Sequence, residues 1–279
     1  MFKDARPESV SRDLIQRFPH AGLTFAFRCS SINEAWVDFA CSLKRTIKII
    51  IAEKLEDEAV GLLQRFVDAR KLSTITVHEE ACEDGIIAVL KSFLCQDQFR
   101  EVEVGRSSEG PWESGVVGEL LQFWSQSSEK LRGKRLALLG QCEGGVKQLE
   151  EFLLPSLSPL PFVLQMVKTS IERLWSFMLK TLITFTSSEL RGILKICSKE
   201  ECDAISKEYR HEQMRFHKPS CIYKFEEGER NERRRLYIFF ECATKKERRT
   251  ERPKLPANHK GLDDLGLMRD TSSLQVLFA

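Results

Sequence analysis

No stretch of the chain approaches the roughly 18 uninterrupted apolar residues of a membrane-spanning helix, so such a helix is excluded by length. The opening residues, Met1 to Pro7, lack the apolar run of a secretory signal. A disulfide framework is missing too, since nine cysteines, an odd number, are spread irregularly over 279 residues. Reduced thiols and a cytoplasmic or nuclear location are therefore expected. The formal net charge of +2 leaves no global field that argues for nucleic acid or a membrane surface. No G-x-G-x-x-G, Walker A or G-x-S-x-G sequence occurs, so neither a dinucleotide loop nor a nucleophile elbow is signalled. Paired carboxylates such as Glu56/Asp57 and Glu226/Glu227 read as solvated surface charge. No catalytic residue and no cofactor is assigned, and the chain is expected not to be an enzyme.

What is present is a repeat. A short apolar strand followed by a helix-period segment returns about every 26 residues, with clear strand copies at 46–51, 73–78 and 99–104. Leu55, Ala59, Leu62, Leu63, Phe66 and Val67 then fall on one helical face, as do Ile86, Ile87, Val89, Leu90, Phe93 and Leu94 after the second strand. Further strands are predicted at 134–139, 162–167 and 182–186, with helices around Val116–Trp124, at 145–154, near Leu174–Met178 and through Leu190–Leu194. One strand and one helix cannot bury their own apolar faces, so neighbouring units must stack and share a core. The predicted fold class is α/β: a leucine-rich-repeat-like stack of strand–helix units with parallel strands, an N-terminal helical segment and a C-terminal β-hairpin module. A doubly wound α/β domain also alternates strand and helix, but the even period and the missing Gly-rich phosphate loop favour the stack. Gly140 to Gly145 follows a strand, and reads as a flexible turn rather than a phosphate cradle.

Residues 191–260 carry 19 Lys/Arg against 12 Asp/Glu, a balance of +7, whereas residues 1–190 sum to −3. This asymmetry points to a separate C-terminal module, and the patterning along the chain divides it into a helical segment at 1–44, the repeat region at 45–198, a hairpin module at 199–243 and a flexible tail at 244–279. The hairpin rests on alternation in 221–226 and 235–242 around a polar turn. The final apolar stretch, 274–279, is too short to assign.

Two constellations carry chemistry. Cys197, Cys202, His211, His217 and Cys221 offer zinc-ligand residue types, but at looser spacing than short zinc knuckles, so no metal site is assigned and a zinc-stabilised module stands as an alternative. Arg233 to Arg235 and the run Lys245 to Arg249 lie beside Tyr237, Phe239 and Phe240, an arrangement open to single-stranded nucleic acid. The plainer reading sends those rings into the hairpin's core and leaves the charges to keep its edge soluble, so a nucleic-acid partner is not expected.

The segments Glu200–Ala204, Arg210–Gln213, Pro219–Gly228 and Arg234–Cys242 resemble the C-terminal signature of a nematode-expanded group of F-box-associated, leucine-rich-repeat-like proteins of uncharacterised function. The likeness covers most of residues 45–243. Upstream, Pro7, Val10, Leu14, Ile15, Phe18, Ser31 and Trp36 occur in the order of a degenerate F-box. The resemblance implies a protein-binding protein that acts as the substrate-recognition subunit of an F-box-type ubiquitin ligase. It also implies a Skp-like adaptor docked on Pro7, Val10, Leu14, Ile15, Phe18 and Trp36. The same residues read equally well as a cap over the first strand of the stack.

Overall fold

The structure, a computed structural model, describes residues 15, 17, 22–106, 110–154, 187–209, 215–228, 233–249 and 253–279. Three strands lie near the period the sequence carries, β2 (Ile47–Ile51), β3 (Leu72–His78) and β4 (Glu101–Arg106), and β5 (Arg135–Gly140) follows after a longer loop and helix. An added strand, β1 (Thr24–Phe27), precedes them. All five run parallel, each beside its predecessor, in the order β1-β2-β3-β4-β5. The crossovers are helical: α1 (Glu34–Ser42), α2 (Asp57–Asp68), α3 (Asp84–Leu94) and α4 (Val116–Leu131), with α5 (Glu143–Leu153) after β5. Strand order that never reverses, combined with crossovers of one hand, puts these helices on one face of the sheet. They pack there in sequence, each against the next.

The reason is visible in the side-chain period. Residues two apart in a strand share a face, and Ile47, Ile49 and Ile51, then Ile75 and Val77, Val102 and Val104, and Leu136 and Leu138 all point at the helices and are buried. Leu63, Phe66, Leu90, Phe93, Leu120, Trp124 and Leu149 meet them from the helix side. Each Leu- or Ile-sized side chain so buried contributes about 1.5–3 kcal/mol.

Beyond β5 the sheet turns antiparallel. The full order of its nine strands is β1-β2-β3-β4-β5-β11-β9-β8-β6, where β6 is Lys195–Ile196, β8 Tyr223–Glu227, β9 Arg234–Phe240 and β11 Ser273–Phe278. The strands β7 (Arg215–Phe216) and β10 (Leu255–Pro256) form a separate two-stranded ribbon. Helices α6 (Ser187–Ile193) and α7 (Lys199–Tyr209) complete the described elements. No helix of the described residues is long and apolar enough to cross a membrane.

Three expectations need correction. The segment 1–44, read as helical, contributes β1 to the sheet edge, with Phe25 and Phe27 paired to Ile49 and Ile51. The flexible tail read at 244–279 ends in β11, which sits between β5 and β9 and pairs with both. Its Leu274, Val276 and Phe278 enter the main core, and Leu277 enters a smaller one. The hairpin β8–β9 is therefore no separate module, because β11 splices it into the same sheet. Stacked and edge-on rings reinforce the join: Trp124 lies 6.1 Å from Phe278 and 6.2 Å from Phe152, and Phe152 lies 6.5 Å from Phe225. The strands read at 162–167 and 182–186 and the helix near Leu174–Met178 lie outside the described residues.

Candidate functional site

The face of the sheet opposite α1–α5 is unevenly covered. Over β9 and β11 the helix α7 closes it, as Cys202 and Ile205 pack with Tyr237, Phe239 and Leu277 in the smaller core. Over β1 to β4 no described helix lies on it. Register places Thr24, Lys48, Thr74, Glu101 and Arg135 in one row across the strands, and Ala26, Ile50, Thr76, Glu103 and Ala137 in the next. Thr24 and Ala26 are exposed, and Lys48, Ile50, Thr74, Glu101 and Glu103 are half-buried.

The polar groups on this face are pre-set by one another. Lys48 Nζ lies 2.7 Å from Glu103 Oε2, and the Thr76 hydroxyl donates to the same oxygen at 2.6 Å. Arg135 Nε stands 3.7 Å from Glu101 Oε1. Burial pushes the Glu101 carboxyl up, more than Arg135 draws it down, and the like charge of Glu103 adds to the rise. A row of cross-strand partners on a rigid sheet presents fixed side chains, so little rotamer entropy is left to lose on contact.

A second feature is a cleft of about 1130 Å³ at the carboxyl ends of β4 and β5, lined by Trp112, Gln141, Lys147, Lys245, Arg248 and Arg269 among others. Two ion pairs shape its walls, one buried on both sides and one reached from the surface. Glu79, fully buried, accepts from Arg106 Nη1 at 2.7 Å and from the backbone N–H groups of Glu113 and Ser114 at 2.6 and 2.5 Å. Glu150, on α5, receives Arg269 Nε and Nη2 in a fork at 3.0 and 2.7 Å. The loop so anchored lays Trp112 over the first turn of α5, with its indole N–H donated to Gln141 O at 2.9 Å.

That arrangement explains the glycines of the turn 140–145. A Cβ at Gly144 meets the Trp112 ring at 2.4 Å, and one at Gly140, whose φ is +84°, meets Arg106 O at 2.4 Å. Close packing demands these glycines, not the approach of a phosphate.

The described candidate zinc ligands, Cys197, Cys202, His217 and Cys221, are not grouped around a common point. Cys197 and Cys202 sit in the smaller core, where burial pushes their thiols up to about 12 and about 11. Cys221 donates its S–H to Gly261 O at 3.0 Å, and burial raises it as well. His217 is held by its backbone N–H, which donates to the buried Glu241 carboxylate at 2.8 Å, and His211 lies outside the described residues. Among the described residues no three His, Cys, Asp or Glu side chains are grouped to hold a metal ion.

Of the candidate adaptor face, Pro7, Val10, Leu14 and Phe18 lie outside the described residues. The Ile15 carbonyl accepts from Arg45 Nη2 at 3.3 Å. Trp36 is half-buried, edge-on to Phe25 at 5.3 Å and to Phe39 at 5.6 Å, and lines an apolar pocket of about 360 Å³ with Phe25, Phe27 and Phe66. In the basic runs, Arg234 pairs with Glu227 at 3.1 Å and Arg235 with Glu226 at 2.7 Å. The rings of Tyr237, Phe239 and Phe240 are buried, which leaves none of the three displayed for base stacking. The run 245–249, read as mobile, is a capped turn: Thr244 and Glu247 exchange hydrogen bonds, and Arg248 reaches the Ser272 hydroxyl.

Sequence reasoning missed Glu79, Arg106, Glu150 and Arg269, because a lone charge at a strand or helix end looks like ordinary surface. The chain matches no protein-family model, no curated protein and no solved structure.

Proposed function

We propose that this chain is a non-enzymatic protein-binding protein, built as a leucine-rich-repeat-like stack that receives its partner on the face of β1 to β4 that no described helix covers. The observation that carries the reading is that face itself: rows of half-buried polar side chains, held in register on a hydrogen-bonded sheet. The occupied state of the reactive groups supports a binding role. The buried carboxylates Glu79, Glu150 and Glu241 are each engaged by arginine or backbone N–H groups. Burial holds the thiols of Cys82, Cys142, Cys197 and Cys242 up at about 12, so they stay protonated and poorly nucleophilic. Nine free cysteines support a reducing compartment, cytoplasm or nucleus.

Within that reading the protein serves as the substrate-recognition subunit of an F-box-type ubiquitin ligase, with a Skp-like adaptor docked on residues 1–44. The test is capture of a purified Skp-like adaptor by the wild-type chain and by the Leu14→Ala/Trp36→Ala variant. Wild-type binding that the variant loses while its far-UV circular dichroism is unchanged supports the adaptor role. No binding by the wild type removes it and leaves the sheet-face reading to stand alone.

A further inference from the structure

The two sequence motifs that the proposed function leaves unused, the glycine turn 140–145 and the basic run 245–249, are about 100 residues apart in the chain yet meet at the strand-end cleft. The basic run places Lys245, Lys246, Arg248 and Arg249 within five residues. Its one carboxylate is spent internally. Glu247 accepts from the Thr244 N–H at 2.7 Å and hydroxyl at 2.9 Å, and stands 3.5 Å from Lys218 Nζ. The reciprocal bond from Glu247 N–H to the Thr244 hydroxyl closes a capping box, which fixes the turn. Arg248 is further tethered to Ser272, at the start of the segment that leads into β11. The backbone of the turn and the Arg248 side chain are thus set before any ligand arrives.

We propose that this turn, with the adjoining cleft, docks an acidic peptide segment of a partner protein. The inference rests on the protein-binding reading above, and adds a second contact to it. Charge decides where the ligand lies. Arg106 and Arg269 line the cleft but are engaged by Glu79 and Glu150. Lys147, Lys245 and Arg248 are set against Glu143, Glu151 and Asp270, so the cleft itself is near balance. Among the described residues positive charge prevails at the turn, where the exposed Lys246 and Arg249 adjoin Lys245 and Arg248. An acidic stretch therefore anchors at the turn, while the remainder of the segment runs along α5, where Glu143 and Glu151 accept neutral or basic side chains. A nucleic-acid strand or an anionic membrane brings one sign only and meets those carboxylates unfavourably. The cleft volume of about 1130 Å³ also exceeds the roughly 300–1,000 Å³ of small-molecule pockets, which suits an extended segment.

The probe is a fluorescein-labelled peptide of four glutamates followed by four serines, titrated by anisotropy at low salt, with a twelve-residue oligothymidine and phosphatidylserine vesicles as competitors. The test variant is Lys246→Glu/Arg249→Glu, whose side chains are exposed at the rim. Its expected effect is at least about a tenfold loss of affinity for this peptide with an unchanged melting temperature, and wild-type binding should weaken as salt screens the contact. Lys195→Glu, on the far sheet edge, controls for non-specific attraction and should leave binding intact. Wild-type failure to bind the peptide, an equal loss in Lys195→Glu, or tighter binding of the oligonucleotide or the vesicles overturns the proposal. The sheet-face reading is tested by different variants, described below, so loss of one contact does not mimic loss of the other.

Discussion

Replacing Glu79 by Ala should be among the most damaging single changes outside the apolar core. The carboxylate is fully buried and Arg106 is only 7% exposed, so the variant takes from a poorly hydrated guanidinium its best partner, leaving Glu80 at 3.7 Å and the Pro111 carbonyl among its remaining contacts. It also removes the acceptor for the backbone N–H groups of Glu113 and Ser114. Breaking a buried ion pair from one side costs about 3–5 kcal/mol, and an orphaned buried N–H adds about 1–3 kcal/mol. All three bonds share one carboxylate and do not sum, so a loss of about 5 kcal/mol is expected. Against a total stability of about 5–15 kcal/mol, that change is large. At about 2 °C per kcal/mol for a chain of this size, the melting temperature should fall by roughly 10 °C. Glu79→Gln keeps an oxygen acceptor and should lose less than half as much. Chemical denaturation followed by circular dichroism measures all three proteins. Equal losses below about 1 kcal/mol in both variants would refute the reasoning, since such values belong to surface pairs.

Other perturbations read other parts of the fold. Lys134→Met strips the ammonium that donates to Gln96 O at 2.6 Å and Phe99 O at 2.7 Å, and should destabilise by about 2–3 kcal/mol in the same denaturation assay. Gly140→Ala forces a side chain onto a backbone at φ +84° and into Arg106 O, and should cost at least about 1–2 kcal/mol, read as a lower denaturation midpoint. Glu101 has a folded-state pKa raised mainly by burial, so its ionisation works against folding. Its contribution is fully present below the ordinary carboxylate pKa and is lost as pH rises through the raised one. Melting curves across pH should therefore show Glu101→Gln gaining on the wild type toward neutrality, with the gain gone near about pH 4.

The parts of the architecture legible in the sequence are those held by local pattern. Alternation in Ile47–Ile51 and helical spacing in Leu55–Val67 each carry their own signal, because one face of every unit is buried in the same core. β11 carried none that could be read locally. Its Ser273-Leu274-Gln275-Val276-Leu277-Phe278 is buried on both faces, so alternation is lost, and its partners Leu136 and Ile238 lie far off in the chain. β1 is four residues long and leans on β2 alone, which leaves its pattern weak. Of the candidate site, the polar members Lys48, Thr76 and Glu103 stand in the sequence at alternate strand positions. Their meeting depends on the register of three strands, with Lys48 and Glu103 55 residues apart. The cleft needed a loop, a helix and a turn from three separate regions, and nothing in any one of them announces the other two.

The most direct test of the binding face compares two matched variants in capture of the native partner. Ile50→Arg/Thr74→Arg places bulk and charge on the half-buried face that no described helix covers, and Gln64→Arg/Gln122→Arg places arginines on exposed positions of α2 and α4. The account predicts that the first loses the partner and the second retains it, with both folded by circular dichroism. Retention by the sheet-face variant together with loss by the helix-side variant would contradict it.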